Sequence, residues 1–443
     1  MDLKLLIDEA FDDYKRDLGR LVGIGSVLDE NGTKPFGENI QKALEEVIAI
    51  SNELGFKTYI DPEGYYGYAE IGEGEDIFGV LGHMDVVPVG DLEAWHTNPF
   101  ELVEADGFLM GRGSQDDKGP TLASMYALKI LLDQGVTLNQ RVRFIFGTDE
   151  ESLWRCMNAY VAKEELPTKG FTPDSSFPLI YAEKGLIEYT LISHQKSDIM
   201  LSGGDALNAV PSSAQTTYDA KVAEELDNLG YKYTVKDDII TVQGKAMHAQ
   251  VADKGENAIV YLAQALYNAD KRNDMIDFIV EKGTDANGRL IYGDIQDDIS
   301  GKLMFNVGKV KFRENIQEVG IDIRFPVTYP KDKVEEILKK TAHEYRINVD
   351  LFDYLKSIYV EKDSDFIKSL MGAYQEVTGD MVTQPIASGG ATYARAMDNV
   401  VAFGAIFPGA EKTEHQPNER IKIEDMKKAM NVYAQAFLNL VVK

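Results

Sequence analysis

Apolar residues recur at helical spacing at the start of the chain. Leu3, Leu6, Ile7, Ala10, Phe11, Tyr14 and Leu18 share one face of a helix predicted over residues 3 to about 21. A second helix is predicted from 39 to about 54, with Gly55 placed as its C-terminal cap. The period then changes. Residues 56–60 and 65–71 read as strands around the Asp61-Pro62-Glu63-Gly64 turn, and 77–82 is a short apolar run ending in His83. After a Gly-rich loop come a helix over 121–132, a buried strand over 141–147 and a helix over 153–162. Alternation of this kind predicts an α/β sheet with helices on its faces.

From about Gly185 to Tyr359 the texture changes to alternating strands with two helices, at about 257–269 and 333–345. From Ser364 the chain resumes as a helix, followed by the Gly389-Gly390 turn, a strand at 400–403 and a closing helix from Glu424. That closing segment needs a sheet to pack on, and completing the N-terminal sheet is the economical answer. The predicted architecture is therefore two-domain α/β. Residues 1–184 and 360–443 form one discontinuous α/β/α domain with a mixed central sheet, and 185–359 form an inserted α+β domain.

Length and composition suit a soluble enzyme: 443 residues, 44% hydrophobic and 27% charged. The formal net charge of -27 repels nucleic-acid phosphates and anionic lipid headgroups, so neither is expected as a partner. No apolar run reaches the roughly 20 residues of a membrane span, and the first fifteen residues lack the apolar centre of a signal peptide. Cys156 is the single cysteine, so no intrachain disulfide forms. These features predict a cytoplasmic protein.

The chemistry is concentrated where strands end, the place at which open α/β sheets build their sites. Val80-Leu81-Gly82-His83-Met84-Asp85 puts a histidine at a strand end and a carboxylate two residues on, although His-x-Asp by itself serves a structural pair equally well. Gly111-Arg112-Gly113-Ser114-Gln115-Asp116-Asp117-Lys118-Gly119 carries two adjacent acids ahead of a helix, where simple capping competes with metal binding. Its spacing is not that of a phosphate-binding loop. A buried strand then runs straight into Asp149, Glu150 and Glu151, whose mutual repulsion is costly without a compensating cation. Asp174 and, late in the chain, His415 add two further donors. Together His83, Asp116, Glu151, Asp174 and His415 make a ligand set with Glu150 left over. Mixed imidazole and carboxylate donors suit two divalent cations, Zn²⁺ first, with Mn²⁺ or Co²⁺ as alternatives.

The segments Gly82 to Pro88, Gly111 to Pro120 and Gly147 to Ser152, taken in order, resemble the aminoacylase/carnosinase family of co-catalytic metallopeptidases, and within it the bacterial dipeptidase V type. The resemblance spans nearly the whole chain. It implies that Asp116 bridges the two ions, with His83 and Asp174 completing one site and Glu151 and His415 the other. Glu150 would be the general base on a metal-bridging water, Asp85 would orient His83, and the Asp116–Asp117 peptide would be cis. The inserted domain would be the family's lid, with His248 of Gly244-Lys245-Ala246-Met247-His248-Ala249 stabilising the developing oxyanion. Asn208 and Arg324 would join it, Arg324 forking onto a substrate carboxylate. Ser388, Gly389, Gly390, Thr392 and Arg395 resemble the substrate-clamping loop, and Asp174 would also attract the substrate ammonium. Met247 and Gln250 stand where the family usually has small residues.

The implied activity is two-metal hydrolysis of dipeptides or very short peptides with a free amino terminus. An N-acyl amino acid deacylase or desuccinylase would use the same metal chemistry, and a non-catalytic metal- or peptide-binding protein is the rival of another class. Retention of Glu150 beside Glu151 argues against mere binding, which needs no base. A serine hydrolase ranks last because no Gly-x-Ser-x-Gly elbow occurs. The long insert predicts a self-sufficient monomer, with a dimer as the alternative.

Overall fold

A computed structural model describes residues 1–443. The chain divides into two compact units: Met1–Tyr181, Tyr359–Ile386 and Thr392–Lys443 in the first, and Ala182–Ile358 with Ala387–Ala391 in the second. No helix is long and apolar enough to cross a membrane.

The first unit is built on a mixed sheet whose neighbouring strands run Lys57–Ile60, Tyr66–Ile71, Arg141–Gly147, Ile77–His83, Lys169–Thr172, Val400–Ala402 and Ile180–Glu183. The late strand Val400–Ala402 lies parallel to Lys169–Thr172, so the C-terminal segment completes the sheet begun at the N-terminus. Ile77–His83 is parallel to both of its neighbours and fully buried, as its unbroken apolar run requires. Helices Leu3–Val22, Lys118–Asp133, Asp365–Thr378 and Ile423–Leu440 supply the covering layers, and Phe171 stacks on Tyr433 at 5.5 Å in the core between sheet and closing helix. Tyr126 joins helix Lys118–Asp133 to the first helix through a 2.5 Å hydrogen bond to Asp17.

Two helix starts differ from expectation. The third helix begins at Lys118 rather than 121, because Pro120 sits in the first turn, where its missing N–H costs nothing. The next begins at Arg155 rather than 153, since Trp154 takes a left-handed φ of 55° and turns its N–H back to the Asp149 carbonyl at 2.9 Å.

The second unit is an eight-stranded antiparallel sheet with its helices packed into one hydrophobic core. Beyond the two predicted helices, Ala258–Asn268 and Lys331–Glu344, it holds Ala220–Leu229 and Asp274–Lys282. Each of these is capped by a side chain, Asp219 onto Lys221 and Val222, and Asn273 onto Ile276. Nine or ten residues give too few turns for the helical period to stand out from flanking strands.

Candidate metal centre

Three parallel or adjoining strands end on the same edge of the first unit's sheet, so the segments that follow them meet. His83 is the last residue of its strand and lies opposite Gly147, after which come Glu150 and Glu151; Asp174 follows Lys169–Thr172. Asp116 arrives from the loop ahead of Lys118–Asp133. His415 comes from a loop late in the chain.

Asp116 stands between the two imidazoles and gives one oxygen to each: Oδ1 is 3.0 Å from His83 Nε2, and Oδ2 is 3.0 Å from His415 Nε2. Asp174 Oδ2 lies 3.7 Å from His83 Nε2 on one side, and both Glu151 oxygens lie 3.1 Å from His415 Nε2 on the other. Donor atoms of His83, Asp116 and Glu151, and of His83, Glu150 and Asp174, fall within 4.8 Å of one another. Nitrogen and carboxylate donors about 2.0–2.1 Å from a tetrahedral cation would be spaced by roughly 3.4 Å, which these separations match, so the residues fit divalent ions. The Asp116–Asp117 peptide is cis.

The electrostatics express the same demand for positive charge. Burial, with the charges of Glu151 and Asp116 behind it, pushes the Glu150 carboxyl well above the ordinary carboxylate range; Asp174 is pushed up likewise by burial and by Asp116. Asp116, despite a burial that opposes it, is held low by hydrogen bonds from His415 and His83. His415 is correspondingly raised to about 11 by Asp116 and Glu151. Left to themselves, the imidazoles take up protons to offset the carboxylates, a task that a cation performs better.

Supporting contacts fix these donors. His83 Nδ1 is 2.9 Å from the main-chain carbonyl of Asp85 and 3.5 Å from its Oδ1, while Asp85 Oδ2 accepts the Glu151 N–H at 3.0 Å. Asp85 thus steadies donors on both sides of Asp116, and its carbonyl makes the shorter contact with His83. Asp149 is not a third free acid: its buried carboxylate takes Arg155 Nε and Nη2 at 2.8 Å each. Asp117 is also buried, accepting Thr121 Oγ1 at 2.6 Å and the His83 N–H at 3.3 Å.

Glu419, Gln115 and Arg112 were not singled out in the sequence. Glu419 is fully buried and accepts Arg112 Nη1 at 2.6 Å together with three main-chain N–H groups of the Asp116 loop. The only sequence hint was a charged pair inside Gly-rich and loop segments, and its partners lie some 300 positions apart.

Asn208, His248, Arg324, Ser388, Gly389 and Gly390 belong to the second unit. His248, exposed at its edge, accepts the Gln250 N–H through Nδ1 at 3.2 Å, and partial desolvation with the Arg324 charge lowers its pKa. Asn208 offers its carbonyl to the Ala249 N–H at 2.8 Å. Arg324 forks onto Asp322 at 3.1 and 2.9 Å and donates to the Gly389 carbonyl, while Ser388 Oγ accepts the Gly390 N–H at 2.9 Å. Thr392 and Arg395 belong to the first unit; Thr392 caps the turn Tyr393–Ala396, and Arg395 is buried.

A mixed α/β sheet that gathers imidazoles and carboxylates beyond its strand ends is the plan of a metallopeptidase. Residues 79–439 match the model of peptidase family M20/M25/M40, and the chain belongs to that family. It is 36% identical over 457 residues to a Bacillus subtilis protein named "Putative dipeptidase YtjP", with 97% of each chain covered. Its fold is similar to that of human carnosine dipeptidase 1 (TM-score 0.59, 17% identity, 99% of this chain and 98% of that one). It is equally similar to aminoacylhistidine dipeptidase from Vibrio alginolyticus (TM-score 0.59, 14% identity, 96% of each chain).

Proposed function

We propose that this peptidase cleaves the peptide bond of dipeptides, or of very short peptides, that carry a free amino terminus. The observation that carries the reading is the placement of Asp116 with one carboxylate oxygen toward each of His83 and His415, and Glu150 beside them. In this reading His83 and Asp174 hold one divalent cation, Glu151 and His415 hold a second, and Asp116 is shared. Zn²⁺ is the first choice for so mixed a donor set, then Mn²⁺ or Co²⁺. When bound, the cations supply Lewis acidity toward the scissile carbonyl and the attacking water.

The chain's own residues then move the proton. Glu150, beside His83 and Asp174 and ionised when cations offset the negative charge of the cluster, takes a proton from the attacking water on a carboxylate oxygen and returns it to the leaving amine. His248 is suited to an oxyanion donor: with Nδ1 accepting from the Gln250 N–H, its proton sits on Nε2, and partial desolvation together with the Arg324 charge favours the neutral ring. To Asn208, Arg324, Ser388, Gly389, Gly390, Thr392 and Arg395 we assign the grip on the substrate, and to Asp174 the attraction of its ammonium group. The names of the relatives, dipeptidases in each case, support the substrate class. We further propose a cytoplasmic monomer.

Metal-stripped protein incubated with dipeptides, tripeptides and N-acetylated dipeptides, with Zn²⁺, Mn²⁺ or Co²⁺ added back, tests the reading through the amino acids released. Metal-dependent cleavage of free dipeptides supports it. Cleavage of acylated substrates alone makes the protein a deacylase, and no cleavage with any ion makes it a binding protein.

A further inference from the structure

The two sides of the metal centre rest on unlike supports. His83 closes a strand that is paired on both edges, and its ring is fully buried. His415 sits on a loop in neither strand nor helix, at a left-handed φ of 64°, with its side chain 54% exposed. A non-glycine residue in that region is held there by its surroundings.

The surroundings are a clasp of two buried side chains. Glu419, four residues beyond His415, accepts through Oε1 the N–H groups of Gly113 at 2.9 Å, Gln115 at 2.9 Å and Asp116 at 3.1 Å. Its Oε2 takes Arg112 Nη1 at 2.6 Å. Gln115 reaches back the other way. Its Oε1 accepts the N–H groups of Thr413 at 2.7 Å and Glu414 at 2.9 Å, and its Nε2 donates to the carbonyls of Glu411 at 3.1 Å and Arg420 at 3.0 Å. Residues 411–420 are thereby tied to the loop that presents Asp116.

Asp116 has a second anchor in a buried strand end and helix start. The next residue, Asp117, is fixed by Thr121 Oγ1 and the His83 N–H, and the helix starts directly after it. Outside the clasp the His415 loop is tied by exposed contacts, the His96 N–H to Asn418 Oδ1 at 2.7 Å and Asn418 Nδ2 to the Ala94 carbonyl at 2.8 Å, and by Arg112 Nη1 to the Gln416 carbonyl at 3.4 Å. Loosening the clasp therefore frees His415 more than Asp116.

Resting on the two-cation reading above, we propose that Glu419 and Gln115 are positioning residues that set the register of His415 against Asp116. They thereby govern affinity at the Glu151–His415 position selectively, while the position built on His83 and Asp174 draws its geometry from the sheet. Cation binding is then ordered, the sheet-built position filling first. Changes to partners that orient metal ligands weaken binding by roughly 10–100-fold.

Full-length, metal-free protein titrated with Co²⁺, followed by visible absorption and calorimetry, tests this without any turnover measurement. Wild-type protein is expected to bind two equivalents. Gln115→Ala and Glu419→Gln are expected to keep one equivalent at wild-type affinity and to bind the second roughly 10–100-fold more weakly. Equal weakening of both equivalents, or a second equivalent unchanged in Gln115→Ala, overturns the proposal. Fewer than two equivalents in the wild type overturns the two-cation reading itself and the clasp with it. Circular dichroism of the metal-free forms checks the fold; if Glu419→Gln does not fold, Gln115→Ala, which removes no charge, carries the test alone.

Discussion

Replacing Glu150 by glutamine keeps the shape of the side chain while removing its charge and its basicity, and the two losses act on different observables. As the proposed proton carrier, Glu150 should be worth about 10²–10⁴ in rate, or roughly 3–5 kcal/mol of barrier. In the metal-free protein the same carboxylate is a liability. Its oxygen lies within 4.8 Å of donor atoms of Asp174 and His83. Because burial and the charges of Glu151 and Asp116 raise its folded-state pKa, this carboxyl favours the unfolded chain near pH 7, where it ionises freely. Attraction to a protonated His83 offsets part of this, leaving an expected gain in stability when the carboxyl is removed. Glu150→Gln is thus expected to retain its metal, to lose at least a hundredfold in kcat/KM on a dipeptide, and to unfold at higher urea than wild type when both are metal-free near pH 7. Activity within tenfold of wild type would refute the base assignment, and a lowered urea midpoint would refute the raised carboxyl pKa.

Asp116→Ala removes the carboxylate that faces both histidines, so metal analysis after dialysis should show both equivalents lost rather than one. Gly82→Ala would put a methyl group 1.8 Å from Thr121 Oγ1 and 2.9 Å from Asp117 Oδ2, in a region with no room to yield; an overpacking cost of about 1–3 kcal/mol should appear in chemical denaturation of the metal-free protein. In the second unit, burial together with Asp322 and Asp353 raises the Glu188 carboxyl to about 7. Because the folded state favours the protonated form, this group's contribution to stability is present at pH 4 and is lost as pH rises through 7. Glu188→Gln should flatten the fall in urea midpoint between pH 4.5 and 8, and an unchanged slope would count against the assignment.

Several residues of the candidate metal centre stand out in the sequence because they sit at strand ends. His83, Glu150, Glu151 and Asp174 follow apolar runs whose parallel pairing brings their ends together, so residue type and position along the chain were enough. Asp149 was less legible: three consecutive acids look alike until Arg155, six residues on, is seen to neutralise the first. The sequence puts Asp85 two residues from His83 but does not show which of its oxygens turns toward the ring, and here the carbonyl makes the shorter contact. Glu419 and Gln115 were invisible as a pair because their hydrogen bonds span about 300 residues and leave no local pattern. In the second unit, helices Ala220–Leu229 and Asp274–Lys282 were missed because tertiary burial of Val222, Leu226, Ile276 and Phe278, rather than long periodicity, holds them.

The first and last long strands of the second unit, Gly185–Ser193 and Asn348–Leu355, are antiparallel neighbours, with Leu186 directly across from Leu355. The backbone therefore departs and returns through a doorway one strand spacing wide, about 4.8 Å. Of the second unit, only the short excursion Ala387–Ala391 enters by another route. A segment whose two ends meet in this way asks no more of the chain on either side than a hairpin loop does.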